Sequence, residues 1–265
     1  MVRDERGGIM RKALRSWALL ARYQLWKLES FRYAGTRFDC PICRGHFDAM
    51  KPFVGSCFLR GVETDHYTEN AICPRCHSDI RQRFIAEFIK VRTDIFSNRQ
   101  KVLHFAPELG IYKMLKYANL EYVAADLNPI RFAGATFADI TNIPFPACFF
   151  DHVICIHVLE HIRDDYLAIS EIYRVLDRGG HALLAVPTYG ETTYEDRSLD
   201  HRGREMQYGA GDHLRLNGLD FACKLERVGF HVEIVSIDDV PGNYVDRSVQ
   251  SPHTESDKYL FYCRK

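Results

Sequence analysis

Lys101–Gly110 reads KVLHFAPELG and Glu121–Pro129 reads EYVAADLNP, and these two stretches decide the fold. Each opens on a short β-rich run, Lys101–Ala106 and Glu121–Asp126, and a helical pattern over Leu109–Tyr117 lies between them. Two strands joined through a helix pair in parallel, because a tight hairpin cannot connect them. Further out, β-rich runs recur at Phe150–His157, His181–Val186, His231–Ile237 and Lys258–Cys263, with helical patterns near Asp164–Leu176 and Leu214–Val228. Gly179-Gly180 and Gly229 stand where helix C-caps are expected. The alternation predicts a doubly wound, mostly parallel sheet covered by helices on both faces. The last two runs have no helix between them, which predicts a terminal antiparallel pair. Ligands of such sheets bind beyond the carboxyl ends of the strands. That draws attention to the Ala106–Gly110 turn, to Asp126, and to His157.

Two further segments extend the pattern: FADITNIPFPACFFDHVICIHVLEHI from Phe137 to Ile162, and EIYRVLDRGGHALLAVP from Glu171 to Pro187. With the first two stretches, they resemble the successive motifs of class I methyltransferases, the Rossmann-like enzymes that use S-adenosylmethionine, over about the last 165 residues. The resemblance implies that Phe105, Ala106, Pro107, Glu108 and Gly110 border the methionine part of the cofactor. It implies that Asp126, with Leu127, holds the ribose, and that Asp139-Ile140 meets the adenine. It also sets His157 at the end of the fourth strand, where the methyl faces its acceptor. The chain departs from the family at the turn. Of the expected glycines only Gly110 remains, Pro107 has no N–H to give, and His104 stands where an acid is usual. A full G-x-G-x-x-G for a dinucleotide is absent, which disfavours a dehydrogenase.

Ahead of this half lie two C-x-x-C knuckles, Cys40-Pro-Ile-Cys43 and Cys73-Pro-Arg-Cys76, separated by 29 residues. Two such pairs complete a tetrahedral four-thiolate set, which suits a structural zinc ion with no open position for a catalytic water. The rival is a pair of redox dithiols, but neither knuckle sits at a thioredoxin-like strand-to-helix turn. Cys57, His46, His66 and His77 are nearby spares, and His77 is the one placed to substitute as a ligand. The stretch is rich in Cys, Gly, Pro and His and buries little apolar surface on its own, so a metal staple is expected. The organisation read from the chain is a basic helical segment over 1–36, a zinc-ribbon-like module over 37–80, a linking helix over 81–98 and the methyltransferase domain over 99–265. The linking helix carries Phe84, Ile85, Phe88 and Ile89 on one face, with Arg81, Arg83 and Lys90 mostly off it.

Hydrophobic residues make up 46% and charged residues 26% of the 265, normal for a globular protein, and formal net charge is zero. No run reaches the ~18 apolar residues of a membrane span, and the basic N-terminus lacks the apolar core of a secretory signal. A cytoplasmic location is expected, and nine cysteines there point to metal ligands or buried thiols. The first segment reads either as a helix packed on the rest or as a basic amphipathic helix on a membrane surface.

For the acceptor, the 25 or so residues after Pro187 show little periodicity and are expected to close over the site. Tyr194, Tyr208, His213 and Arg215 are the candidate acceptor-side residues, and His157 and His213 the candidate bases. The amino-methylating tetrapeptide N-P-P-[YF] is absent, and Ile156-His157-Val158-Leu159 stands in its place, which favours an oxygen or carbon acceptor. The expectation is methyl transfer to a small-molecule or saccharide-type acceptor, at oxygen. One alternative is an RNA methyltransferase that meets phosphates through Arg75, Arg81, Arg83 and Lys90. Another is a non-enzymatic, zinc-stabilised interaction protein with a degenerate pocket. Oligomeric state is not encoded in any motif.

Overall fold

The computed structural model describes residues 29–97, 99–129, 134–248 and 256–265. The basic segment expected over 1–36 therefore lies almost wholly outside the described residues. The elements are β1 (Ala34–Asp39), β2 (His46–Phe47), β3 (Lys51–Leu59), β4 (Val62–Ile72), α1 (Ile80–Arg92), β5 (Lys101–Phe105), α2 (Leu109–Lys116), β6 (Glu121–Asp126), β7 (Thr136–Phe137), β8 (Phe150–Ile156), α3 (Asp165–Val175), β9 (Leu176–Ala185), α4 (His201–Tyr208), α5 (Phe221–Val228), β10 (His231–Ser236) and β11 (Tyr259–Arg264).

Seven strands form one sheet in the order β10-β11-β9-β8-β5-β6-β7. β5, β6, β7, β8 and β9 run parallel, and β11 enters antiparallel between β9 and β10. The expected terminal antiparallel pair is β10–β11. Strand order reverses between β5 and β8, the usual ligand position of such sheets. Side chains alternate across the sheet as the two-residue period requires. Val153 and Cys155 of β8 join one buried cluster with α3 and α5, while Ile154 and Ile156 join the other with α1 and α2. Because the central strands are buried on both faces, they read as nearly continuous apolar runs.

Three expectations are corrected. Gly179-Gly180 does not cap a helix: α3 ends at Val175, and both glycines lie within β9. The β8–β9 register jumps from Phe150↔Leu176 to His152↔His181, so the intervening residues form a bulge against a constant β8. A Cβ on Gly180 would sit 2.9 Å from the Asp151 carbonyl oxygen, which is why only glycine fits there. The helix expected from Leu214 begins only at Phe221, since Leu216 and Asn217 are pinned in bridges to Tyr194 and Thr188. The segment after Pro187 is not featureless: α4 lies inside it, capped by the Asp200 carboxylate accepting from Gly203 N.

The helix expected over 81–98 stops at Arg92, and Asp79 caps its start through Gln82 N at 2.7 Å. Its apolar face, Phe84, Ile85, Phe88 and Ile89, packs on the sheet. Arg83, expected off that face, is instead fully buried and donates to four backbone carbonyls: Tyr244 O at 2.7 Å, Ser78 O at 2.7 Å, Ala71 O at 2.9 Å and Asn70 O at 3.2 Å. One guanidinium thereby joins β4, the second knuckle and the loop after β10.

Candidate functional site

The two knuckles fold alike. Arg44 N donates to Cys40 O and His77 N to Cys73 O, and the residue after each second cysteine is left-handed, Arg44 at φ 56° and His77 at φ 60°. The four sulfurs converge within 4.8 Å of one another, with Cys40–Cys76 at 3.6 Å and Cys43–Cys73 at 3.7 Å. A tetrahedral set at the usual zinc–sulfur length of ~2.3 Å requires sulfurs about 3.8 Å apart, so the donor set fits a metal. His77 is not in this cluster. The module is joined closely to the sheet: a Cβ on Gly110 would lie 3.0 Å from Ile42 Cδ1 and from Gln82 Oε1. The one glycine kept in the turn thus allows the first knuckle and α1 to approach α2. At the other end, the tip between β3 and β4 reaches α4, with Arg60 N and Gly61 N donating to Gln207 O and Met206 O.

At the carboxyl ends of β5 and β8, Ala106 and His157 both hold left-handed backbone, φ 42° and 52°. Such a conformation costs a non-glycine residue ~1–2 kcal/mol and tends to persist at functional sites. Ala106 thus keeps the backbone of the glycine it replaces. Next to it Glu108, 13% exposed, accepts from Arg81 Nε at 3.1 Å through Oε1, while its buried Oε2 has no hydrogen-bond partner. Arg81 also pairs with Asp257 at 3.2 Å and Asp79 at 3.6 Å and lies 3.2 Å from His157 Nδ1. His157 Nε2 is 3.1 Å from Asp257. Three carboxylates thus share one guanidinium. Burial, opposed by Arg81 and helped by the negative charge of Asp79 and Asp257, pushes the Glu108 carboxyl up to about 7. Burial, and then Arg81, hold His157 below the ordinary histidine range, so the ring is neutral at neutral pH.

Asp126 ends β6, one strand over. Its Oδ1 accepts from Asn128 N at 2.7 Å, and its buried Oδ2 has no hydrogen-bond partner. Leu127 beside it is 58% exposed. Asp139 Oδ1 is occupied by Thr141 N and Oγ1, and Ile140 is packed in the core. His104, where an acid is usual, is fully buried and held near 3 by burial, with Nδ1 3.0 Å from Tyr122 Oη.

On the acceptor side, Tyr194 is exposed, whereas Tyr208 is buried and its Oη accepts from Asp196 N. Arg215 is buried too, donating to Leu159 O and Ile162 O and pairing with Glu195 and Asp165. His213 starts no helix. Its ring meets His161 edge-on at 4.9 Å, and burial lowers its pKa to about 4. The sequence offered Arg81 only as a phosphate contact and did not single out Asp257 or Glu160. No local pattern pairs Arg81 with Asp257, because they meet across 176 positions of chain.

Residues 111–184 match the family model described as a methyltransferase domain. A chain of the complex between the Haloferax volcanii Trm112 methyltransferase activator and its methyltransferase is similar at TM-score 0.50 and 18% identity, covering 69% of this chain and 90% of that one. An S-adenosylmethionine-dependent methyltransferase from Mesorhizobium loti is similar at TM-score 0.50 and 12% identity, covering 69% and 96%. No curated protein matches the chain by sequence. Domain match and fold agree with the resemblance seen in the sequence: residues 111–184 match a methyltransferase domain, and the sheet has the class I architecture.

Proposed function

Starting from an S-adenosylmethionine-dependent methyltransferase domain, we propose that this protein methylates an oxygen of a small-molecule or saccharide-type acceptor and that zinc fills its four-cysteine site. The observation that best supports the cofactor assignment is the pair of partnerless buried carboxylate oxygens, Glu108 Oε2 and Asp126 Oδ2, at the ends of adjacent parallel strands. A buried acceptor without a donor costs ~1–3 kcal/mol, and a ligand bearing an ammonium and a ribose diol relieves both. In this reading Asp126 accepts from the ribose hydroxyls beside Leu127, and Glu108 from the ammonium. Ala106, Pro107 and Phe105 line the turn, and Asp139-Ile140 borders the adenine. When bound, the cofactor supplies an electrophilic methyl group. The neutral His157 ring, steered by Asp257, is suited to take the acceptor hydroxyl's proton; His213 is the second candidate. The RNA reading loses ground, because Arg83 is buried and Arg81 is engaged inside the domain.

Isothermal titration with S-adenosylhomocysteine tests the cofactor site. Asp126→Ala should weaken binding on the order of 100-fold, the loss of two hydrogen bonds to a charged acceptor at ~1.5 kcal/mol each. Unchanged affinity in that variant would remove Asp126 from the site. The same titration carries a pH signature. Below about 7 Glu108 is largely protonated, and above it the carboxylate faces the ligand's ammonium. Affinity should therefore rise between pH 6 and 8, and Glu108→Gln should flatten the rise. An unchanged slope in that variant would assign the titration elsewhere.

A further inference from the structure

Immediately beyond His157 lies a second donor cluster that the four-cysteine site and the cofactor pocket leave unused. Glu160 is 1% exposed, and neither of its carboxylate oxygens has a hydrogen-bond partner. One ligand atom each from Glu160, His161 and His213 lies within 4.8 Å of the other two. Both rings are held in the manner of metal ligands. His161 Nδ1 is 3.2 Å from the Asp212 carbonyl oxygen, and His213 Nδ1 is 3.3 Å from the Tyr208 carbonyl oxygen. A carbonyl only accepts, so in each case Nδ1 carries the proton and the neutral ring's lone pair is on Nε2. A backbone carbonyl behind the imidazole is the usual support that fixes a ligating tautomer. His161 Nε2 is 3.9 Å from Glu160 Oε1.

We propose that Glu160, His161 and His213 form a second metal site, for a divalent first-row ion such as manganese or zinc, distinct from the four-cysteine centre. Two imidazoles and one carboxylate leave coordination positions open, the pattern of a working site rather than a structural one. The ion relieves the buried Glu160 carboxylate, which no protein group satisfies. Ionisable neighbours include His157, whose Nδ1 is 3.7 Å from Glu160, Asp212, whose Oδ2 is 3.5 Å from His161, and, further off, Arg81 and Asp257. Glu160 therefore ties the cluster to the histidine at the end of β8. An oxygen ligand taking an open position would be a hydroxyl of the acceptor, polarised by the ion, with its proton passing to the neutral His157 ring. This use of the ion rests on the oxygen-acceptor reading above, whereas its binding does not.

The test is metal uptake by the full chain, first loaded with zinc at the cysteines. Manganese is then titrated and free ion followed by electron paramagnetic resonance, because a hard ion avoids the thiolate site. The wild type should bind one manganese per chain. Glu160→Gln and His213→Ala should each weaken that binding by roughly ten- to a hundredfold, with circular dichroism and melting temperature reporting whether each remains folded. A wild type that binds no manganese, and no more than one zinc when zinc is offered instead, overturns the site. So does manganese binding that is equally tight in both folded variants. A screen of hydroxyl acceptors that yields no product overturns the oxygen reading and leaves the manganese count untouched, so the two failures are distinguishable.

Discussion

Cys73→Ser is expected to strip the metal from the knuckles and open the residues around them, lowering affinity for S-adenosylhomocysteine as well. Among the described residues, the buried cluster of this region is Phe38, Cys40, Phe47, Met50 and Cys73, two of them from the four-cysteine cluster. Its strands form two separate two-stranded sheets, each marginal alone. Metal binding in small tetrathiolate units is worth ~10–16 kcal/mol, of the same order as a whole domain's stability. Little else here replaces it. The consequence reaches the cofactor side because the second knuckle runs directly into α1: Ser78 Oγ lies 3.1 Å from Cys76 Sγ, Asp79 caps the helix, and Arg81 follows. Metal content, limited proteolysis and titration should change together, from one zinc per chain to none. A variant that keeps its zinc and its protease resistance would show that the cysteines are not the staple.

Arg83→Met should destabilise the protein by ~3–5 kcal/mol, the usual cost of breaking a buried charged network. At this size that lowers the melting temperature on the order of 10 °C. Methionine fills much of the volume but removes the guanidinium donors from the carbonyls of Asn70, Ala71, Ser78 and Tyr244, of which Ser78 O keeps the Cys73 N–H. Arg83→Lys should rescue only in part, because a single ammonium does not reproduce the planar fork of five N–H groups. Urea unfolding distinguishes these outcomes. A loss below ~1 kcal/mol for the methionine variant would mean the carbonyls find water or other donors.

What the sequence determined by itself was whatever rests on local period and spacing. The alternation of β-rich and helical patterns from Lys101 onward specified the parallel sheet and its antiparallel end. The C-P-x-C pair specified the four-sulfur cluster, because two residues between cysteines already aim both sulfurs one way. The place of Asp126 at the end of a strand was legible in the same alternation. Tertiary structure decided the rest. Gly179-Gly180 resembles a helix stop, since glycine's freedom serves caps and bulges equally, and only the close approach of Asp151 O makes it a bulge. Leu214–Asn217 carries apolar residues at helical spacing, yet its backbone groups are claimed by Glu160, Tyr194 and Tyr189 before a helix can form. Arg83 looked like one more surface cation in a basic helix, and it is buried because four carbonyls from distant segments meet at one point. Arg81 and Asp257 likewise owe their pairing to a contact across 176 positions of chain. No local pattern encodes such a meeting; the packed sheet and its long-range hydrogen bonds create it.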